Sequence, residues 1–266
     1  MRKILAVLMA VLMMALCLAG CGGNDAKIVV AEKGSAGEEV MNADKYFADY
    51  EKVAVDSQAK TLVEVKSGTA DAAVIDYVMS NGSIGEGTDY ADLKVVDDVA
   101  FNPEQYGIAF RKGSDLAAKV NEIIVELKKS GELTKIASTY KLDEILLADK
   151  EVVPFVEDTE NSDYKYVMDK GELVIGITYF APMNYLNDDE ELVGFETEFA
   201  KAVCAKLGVK AKFQEISWAA KETELAAKNI DCIWNGMTIT PEREENMAIS
   251  IPYMQNKQVK VVKEAK

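Results

Sequence analysis

The chain has 266 residues and contains no histidine. That removes an imidazole base, an imidazole metal ligand and a histidine pH switch. Positive charge is also scarce: 30 Lys and Arg stand against 45 Asp and Glu, a formal net charge of −15. This balance argues against binding nucleic acid or another polyanion as the main task, although a local pocket can still carry one arginine. There are four cysteines, too few for a disulfide-built fold. No internal repeat is visible. No cofactor and no metal are expected. What remains is ordinary globular composition, 49% apolar and 28% charged. The length suits one large domain or two modest ones.

The one long apolar run is at the start. "MRK" is a basic lead, "ILAVLMAVLMMALCLA" is apolar, and "LAGC" closes the segment at Cys21. The run is shorter than the roughly 20 residues of a membrane-spanning helix and reads as a secretory signal. "LAGC" resembles a bacterial lipoprotein signal. The resemblance implies cleavage after residue 20, lipidation of Cys21, and attachment to the extracytoplasmic face of the cell membrane. Cys17 leaves with the signal. Cys204 and Cys232 remain, either as a pair or as two buried apolar thiols, the reading we favour.

Beyond the signal, strands alternate with helices. "AKIVVAEKGSAGEEVMNADKYF" reads as strand, glycine turn and helix, with Val40, Phe47 and Tyr50 near one face of that helix. "KVAVDS" and "DAAVID" are short strands around the helix "QAKTLVEVKSG", which Gly68 stops. Leu116, Val120, Ile123, Ile124 and Leu127 line a later helix. Residues 142–163 have no clean period and many acids, and read as a linker. A second run follows: strand 172–177, helix 195–207, strand 211–216, helix 219–227, strand 231–235, a helix from Pro241 and a strand over 258–263. The alternation predicts an α/β fold with largely parallel sheets.

"GFETEFAKAVCAKLG" (194–208) and "EISWAAKETELAAKNIDCIWNGMTITPEREENMAISIPYMQNKQVKVVK" (215–263) resemble the extracellular amino-acid-binding proteins of ABC importers, solute-binding family 3. "VVAEKGSAGEE" (29–39), "KSGTADAAVID" (66–76) and "YGIAFRKGSDLAAKVNEII" (106–124) resemble later segments of the same family. The resemblance implies a two-lobed periplasmic-binding-protein-like fold of type II. The segments stand in the wrong order for the family, however. This implies a circular permutation: a signal over 1–20, a short anchor linker over 21–27, the second lobe over 28–103, a hinge strand and closing helices of the first lobe over 104–141, a linker joining the ancestral termini over 142–163, and the first lobe over 164–266. In this reading only the stretch near Glu104 to Phe110 crosses between lobes. The alternative is an error joining parts of neighbouring genes.

The resemblance also assigns a site. Arg243 lies near the start of a helix capped by Thr240, where a guanidinium can grip a carboxylate bidentately. On spacing alone it is equally a solvated helix arginine. The resemblance gives it the ligand α-carboxylate, with Thr238 and the backbone at Gly236 on the same headgroup. Asp76 is implied as acceptor for the α-ammonium, though it could also cap the helix after it. Ser35 and the amide of Ala36, at a helix start, would add donors. Trp218 and Phe180 match positions that sandwich the ligand side chain, although either aromatic could simply be core. Asn235 and Tyr179 are further wall candidates. The family often carries Asp where this chain has Ile177, which removes one reason to expect a cationic ligand, while Glu32 could restore a negative charge. We expect a monomer that binds an α-amino acid, polar or weakly apolar rather than cationic, by hinge closure, and delivers it to an ABC permease. No covalent chemistry is needed. The alternatives are an extracellular sensor subunit and a lyase on the same fold.

Overall fold

The computed structural model describes residues 26–148 and 150–264, so the signal-like segment and Cys21 lie outside the described residues. The strands in chain order are β1 (Ile28–Glu32), β2 (Glu51–Val55), β3 (Ala72–Asp76), β4 (Leu93–Val96), β5 (Pro103–Tyr106), β6 (Ala109–Arg111), β7 (Glu172–Ile177), β8 (Tyr185–Leu186), β9 (Leu192–Val193), β10 (Lys210–Glu215), β11 (Cys232–Ile233), β12 (Met247–Ile249) and β13 (Met254–Lys263). They form two main sheets, β2-β1-β3-β13-β4 with β5 added on β13, and β10-β7-β11-β6-β12, beside the small hairpin β8-β9.

The two main sheets share one plan. In each, three parallel strands come first: β1 with β2 and β3, and β7 with β10 and β11. Next to the third lies an antiparallel strand that arrives from the other half of the molecule, β13 in one sheet and β6 in the other. The sheets are therefore mixed rather than largely parallel. The reason is geometric: a strand that enters from the partner lobe comes in from the opposite end. The reciprocal entry also corrects the expected boundary of the first lobe. Residues 258–263 pair with β3 and β4, so two segments cross between lobes, β5 to β6 and β12 to β13.

Local sequence accounts for most elements. In the helix Phe195–Leu207, Phe195, Phe199, Val203 and Leu207 repeat every fourth residue and are buried, and Gly208 ends it in the left-handed region at φ 78°. In the helix Leu116–Lys129 the apolar stripe Leu116, Val120, Ile123, Ile124 and Leu127 is buried as the spacing predicts. Strand β3 is buried along its whole length, as a central strand covered on both faces must be. The first helix is shorter than its apolar pattern suggests. It ends at Ala43, because the Asp44 carboxylate accepts from the Tyr46 amide and starts a tight turn over Lys45–Phe47. Cys204 and Cys232 are both free and buried.

The stretch 142–163 holds little regular structure but is not loose chain. At its start, the amides of Leu147 and Ala148 donate to the carbonyls of Tyr253 (2.8 Å) and Pro252 (3.2 Å), on the second crossing. It then runs past the helix Leu116–Lys129, where Glu122 accepts from the Phe155 amide at 2.9 Å and Asp115, just before the helix, accepts from the Asp158 amide at 3.1 Å. Its end is pinned by Asp163, which receives the Arg111 guanidinium at 2.9–3.1 Å while Arg111 also donates to the Ile230 carbonyl. Both partners of this pair are largely buried. Replacing Asp163 by Ala leaves the buried guanidinium only the more distant Asp231 carboxylate, at 3.7 Å, and is expected to cost about 1–3 kcal/mol. Urea unfolding followed by circular dichroism checks this; an unchanged midpoint would show that the linker end is not held by this pair.

Candidate ligand cleft

The ends of strands from both sheets meet across one cleft. At its centre is a cavity lined by Glu32, Ser35, Ala36, Gln58 and Asp76 from one lobe and by Trp218, Asn235, Gly236, Thr238 and Arg243 from the other. Its volume is about 10 Å³, roughly the room of one water, so the lobes stand closed on each other. Every lining side chain is buried.

Arg243 is held by the short helix Pro241–Asn246, whose cap Thr240 accepts from the Arg243 amide. Its guanidinium donates to the Thr238 carbonyl at 2.9 Å within its own lobe. Across the cleft it meets the Gly34 carbonyl at 3.4 Å and the Glu39 carboxylate at 3.2 Å. It is therefore a cleft residue, not a solvated helix arginine. Lys221 also reaches across, donating to the Gly34 carbonyl at 2.9 Å, with its ammonium 4.9 Å from the Trp218 ring centre.

Asp76 ends β3 on the opposite wall. It occupies the cap position of the helix Tyr77–Ser83, but its side chain does not cap it. The Val78 amide donates instead to Asn256, at 3.3 Å. This frees Asp76 to accept from the side-chain amides of Gln58, Asn256 and Gln258. Glu104, on β5, joins the same network. It accepts from Thr238 at 3.3 Å, Asn256 at 3.1 Å and Gln258 at 2.9 Å. Gln58, Glu104, Asn256 and Gln258 escape a sequence reading. The alternation in "MQNKQVKV", which turns Asn256 and Gln258 to one face, was the available signal.

The remaining expected residues divide. Ser35 and Ala36 start the helix Ala36–Ala43, and the Ser35 hydroxyl accepts from the Glu38 amide at 3.1 Å. Trp218 lines the cavity. Asn235 lines the cavity while its side chain bonds to Thr178 and Asn184. The Gly236 amide does not face a ligand headgroup, because the buried Glu196 carboxylate takes it at 2.9 and 3.1 Å. Phe180 is not part of the wall. It backs Gly236 so closely that a Cβ there would lie 2.4 Å from a Phe180 ring carbon, and Gly236 has φ +55°, so this position requires glycine. Tyr179 is exposed.

Burial sets the protonation of the cleft. It pushes Glu32 up to about 8 and Glu104 to about 7, each raised further by the Asp76 charge. Burial also raises Asp76, opposed by its hydrogen bonds, and Glu196, to about 7. Lys221 is pushed down to about 8 by burial and then by Arg243.

Two α/β lobes of one plan, tied by two crossing strands, close over an arginine and a carboxylate. Residues 173–266 match the family model described as bacterial extracellular solute-binding proteins, family 3. The L-cystine-binding protein TcyJ of Escherichia coli (strain K12) is 35% identical over 88 residues, 33% of this chain and 33% of that protein. The octopine-binding periplasmic protein of Rhizobium meliloti is 35% identical over 74 residues, 28% of this chain and 25% of that protein. A solved ancestral cyclohexadienyl dehydratase is 31% identical over 33% of this chain and 37% of its own, with a TM-score of 0.31. The chain thus spans about a third of the curated relatives' length. The family description is extracytoplasmic, and among the described residues no helix is long and apolar enough to cross a membrane.

The raised carboxyls fix the sign of one pH effect. Glu32, Glu104 and Glu196 titrate near 7–8 when folded and near 4.5 when unfolded. Between these values the folded chain holds more protons, so stability falls as pH rises from about 4.5 to 8. Thermal melting without amino acid is expected at a higher temperature at pH 5.5 than at pH 8, and Glu104→Gln is expected to narrow that gap. An equal gap in the variant would remove Glu104 from the effect.

Proposed function

We propose that the protein is an extracytoplasmic receptor that binds an α-amino acid between its lobes and hands it to an ABC permease. The observation that carries the reading is Arg243 on one wall and Asp76 on the other of a cavity to which both lobes contribute. Arg243 receives the α-carboxylate, aided by Thr238 and the Ser35 hydroxyl. Asp76 receives the α-ammonium. The cognate names of the matched relatives, for cystine and octopine, support a small zwitterionic ligand.

In this reading the ligand acts by differential binding. Only the closed arrangement presents both walls at once, so the ligand shifts the open–closed equilibrium toward closure. The motion pivots on β5 and β13. Entry requires opening, since the closed cavity holds no more than a water. The Glu39 carboxylate, now on Arg243, gives way to that of the ligand. The receptor works without covalent chemistry, as a monomer held to the membrane through a lipid on Cys21.

The order of the lobes is read as a circular permutation of the family order. In support, Val30 of β1 and Val261 of β13 both flank Ala73 of β3, so the outer ends of β1 and β13 lie about two strand spacings, ~10 Å, apart. A short loop spans that gap. A chain opened within residues 150–160 and joined from Lys263 to Lys27 is expected to fold and bind like the original; failure to fold would count against the permutation.

Calorimetry of the chain from residue 22 onward against the common amino acids tests the function. Binding by at least one is expected, with Arg243→Ala weakening it by about 100-fold or more. Unchanged affinity in that variant would overturn the assignment. Turnover of a cyclic carboxylic acid would favour a lyase instead.

A further inference from the structure

Two acids share one set of donors at the hinge side of the cleft. Asp76, at the end of β3, is 4% exposed, and Glu104, on β5, is half-buried beside it. The side-chain amides of Asn256 and Gln258, on β13, each carry two hydrogens, and each amide donates to both acids. The same two oxygens accept every time, Asp76 Oδ1 and Glu104 Oε2. Gln258 reaches them at 3.0 and 2.9 Å, so they stand within ~6 Å of each other, where two charged carboxylates repel.

Among the described residues, nothing packed around the pair offsets that charge. Gln58, from the helix Gln58–Ser67, gives Asp76 an amide, and Thr238, from the cleft loop, gives Glu104 a hydroxyl at 3.3 Å. Tyr106, on β5, and Tyr253, before β13, bring phenols toward Asp76. Glu32, on β1, and Glu196, on the helix Phe195–Leu207, are further acids. Lys221 is committed to the Gly34 carbonyl, and Arg243 to Thr238, Gly34 and Glu39. The Gln258 Oε1 is itself buried with no donor, so the cluster has more acceptors than hydrogens. Burial, and then the Asp76 charge, accordingly raise the Glu104 carboxyl to about 7.

We propose that Asp76 and Glu104 act as one buried acid pair whose positive partner is a proton in the empty closed cleft and the ligand α-ammonium in the filled one. The inference rests on the reading above, in which the α-ammonium goes to Asp76. Glu104 is then a positioning residue, acting on the ligand through the amides of Asn256 and Gln258. As the ammonium reaches Asp76, the carboxyl O–H of the pair breaks and its proton goes to solvent. Both acids are then charged, and the four amide hydrogens with the ammonium hold them. The free protein therefore carries more protons than the complex near and below pH 7, so affinity rises with pH through that range.

Calorimetry tests this on the chain from residue 22 onward, in two buffers of different ionisation heat. The probe is whichever of the twenty common L-amino acids binds most tightly. At pH 6.5 roughly half a proton is expected to leave per molecule bound, and affinity is expected to rise about threefold or more from pH 5.5 to 7.5. In Glu104→Gln the release is expected to fall to ~0.1 proton or less and the pH dependence to flatten, whereas Glu104→Asp, which keeps the second acid, retains both. Wild-type binding with no release, or with proton uptake, would overturn the proposal and leave the receptor reading standing. So would an unchanged release in a folded Glu104→Gln. Binding of no amino acid by the folded wild type would overturn both. Where Glu104→Gln does not fold, the wild-type release decides: its presence supports the pair and its absence overturns it.

Discussion

The paired crossing of β5 and β13 is the constraint on which the molecule turns. Met254 to Lys257 pair antiparallel with Pro103 to Tyr106, and past this ladder each chain enters the sheet of the other lobe. The two crossings also bond to the cleft loops: Ile239 donates to the Gln105 carbonyl and Gly107 to the Met237 carbonyl. Such a ribbon can bend, but it keeps the two lobes in register. Without it the two walls of the cleft would have no fixed relation.

The same ribbon carries the polar core of the site. Asn256 and Gln258 project from β13 to Asp76 and Glu104, and Glu104 reaches Thr238 in the other lobe. Side-chain amides bridge two acids that, among the described residues, make no ion pair. Burial of that arrangement is unfavourable at neutral pH, which is the physical content of the raised carboxyls. Glu196 repeats the device on the far side. It accepts from Gly236, beside the cavity, and from Tyr253, just before β13. The cleft loop and the second crossing therefore share one buried carboxylate.

The linker adds a second layer. Its beginning is bonded to the second crossing at Pro252 and Tyr253, and its end to Arg111, the last residue of β6. A connection that reads as a spacer thus lies along one lobe from the hinge to the end of a sheet.

Much of this was legible beforehand. Helix 195–207, the buried stripe of helix 116–129 and the stop at Gly68 follow from spacing and backbone preference, which act over a few residues. Of the ten expected ligand residues, all but Phe180 line the cavity, because motif positions at strand ends and helix starts converge on a cleft in this kind of fold. Tertiary structure alone decided the rest. It sent β13 into the opposite sheet and gave the Gly236 amide to Glu196. It turned Phe180 behind the wall and brought Glu104, Asn256 and Gln258 to Asp76. Among the described residues it also left the Glu32 Oε1 buried without a hydrogen-bond partner. Each of these depends on which groups meet across long sequence separations and on what burial then costs them. Local pattern carries no record of either.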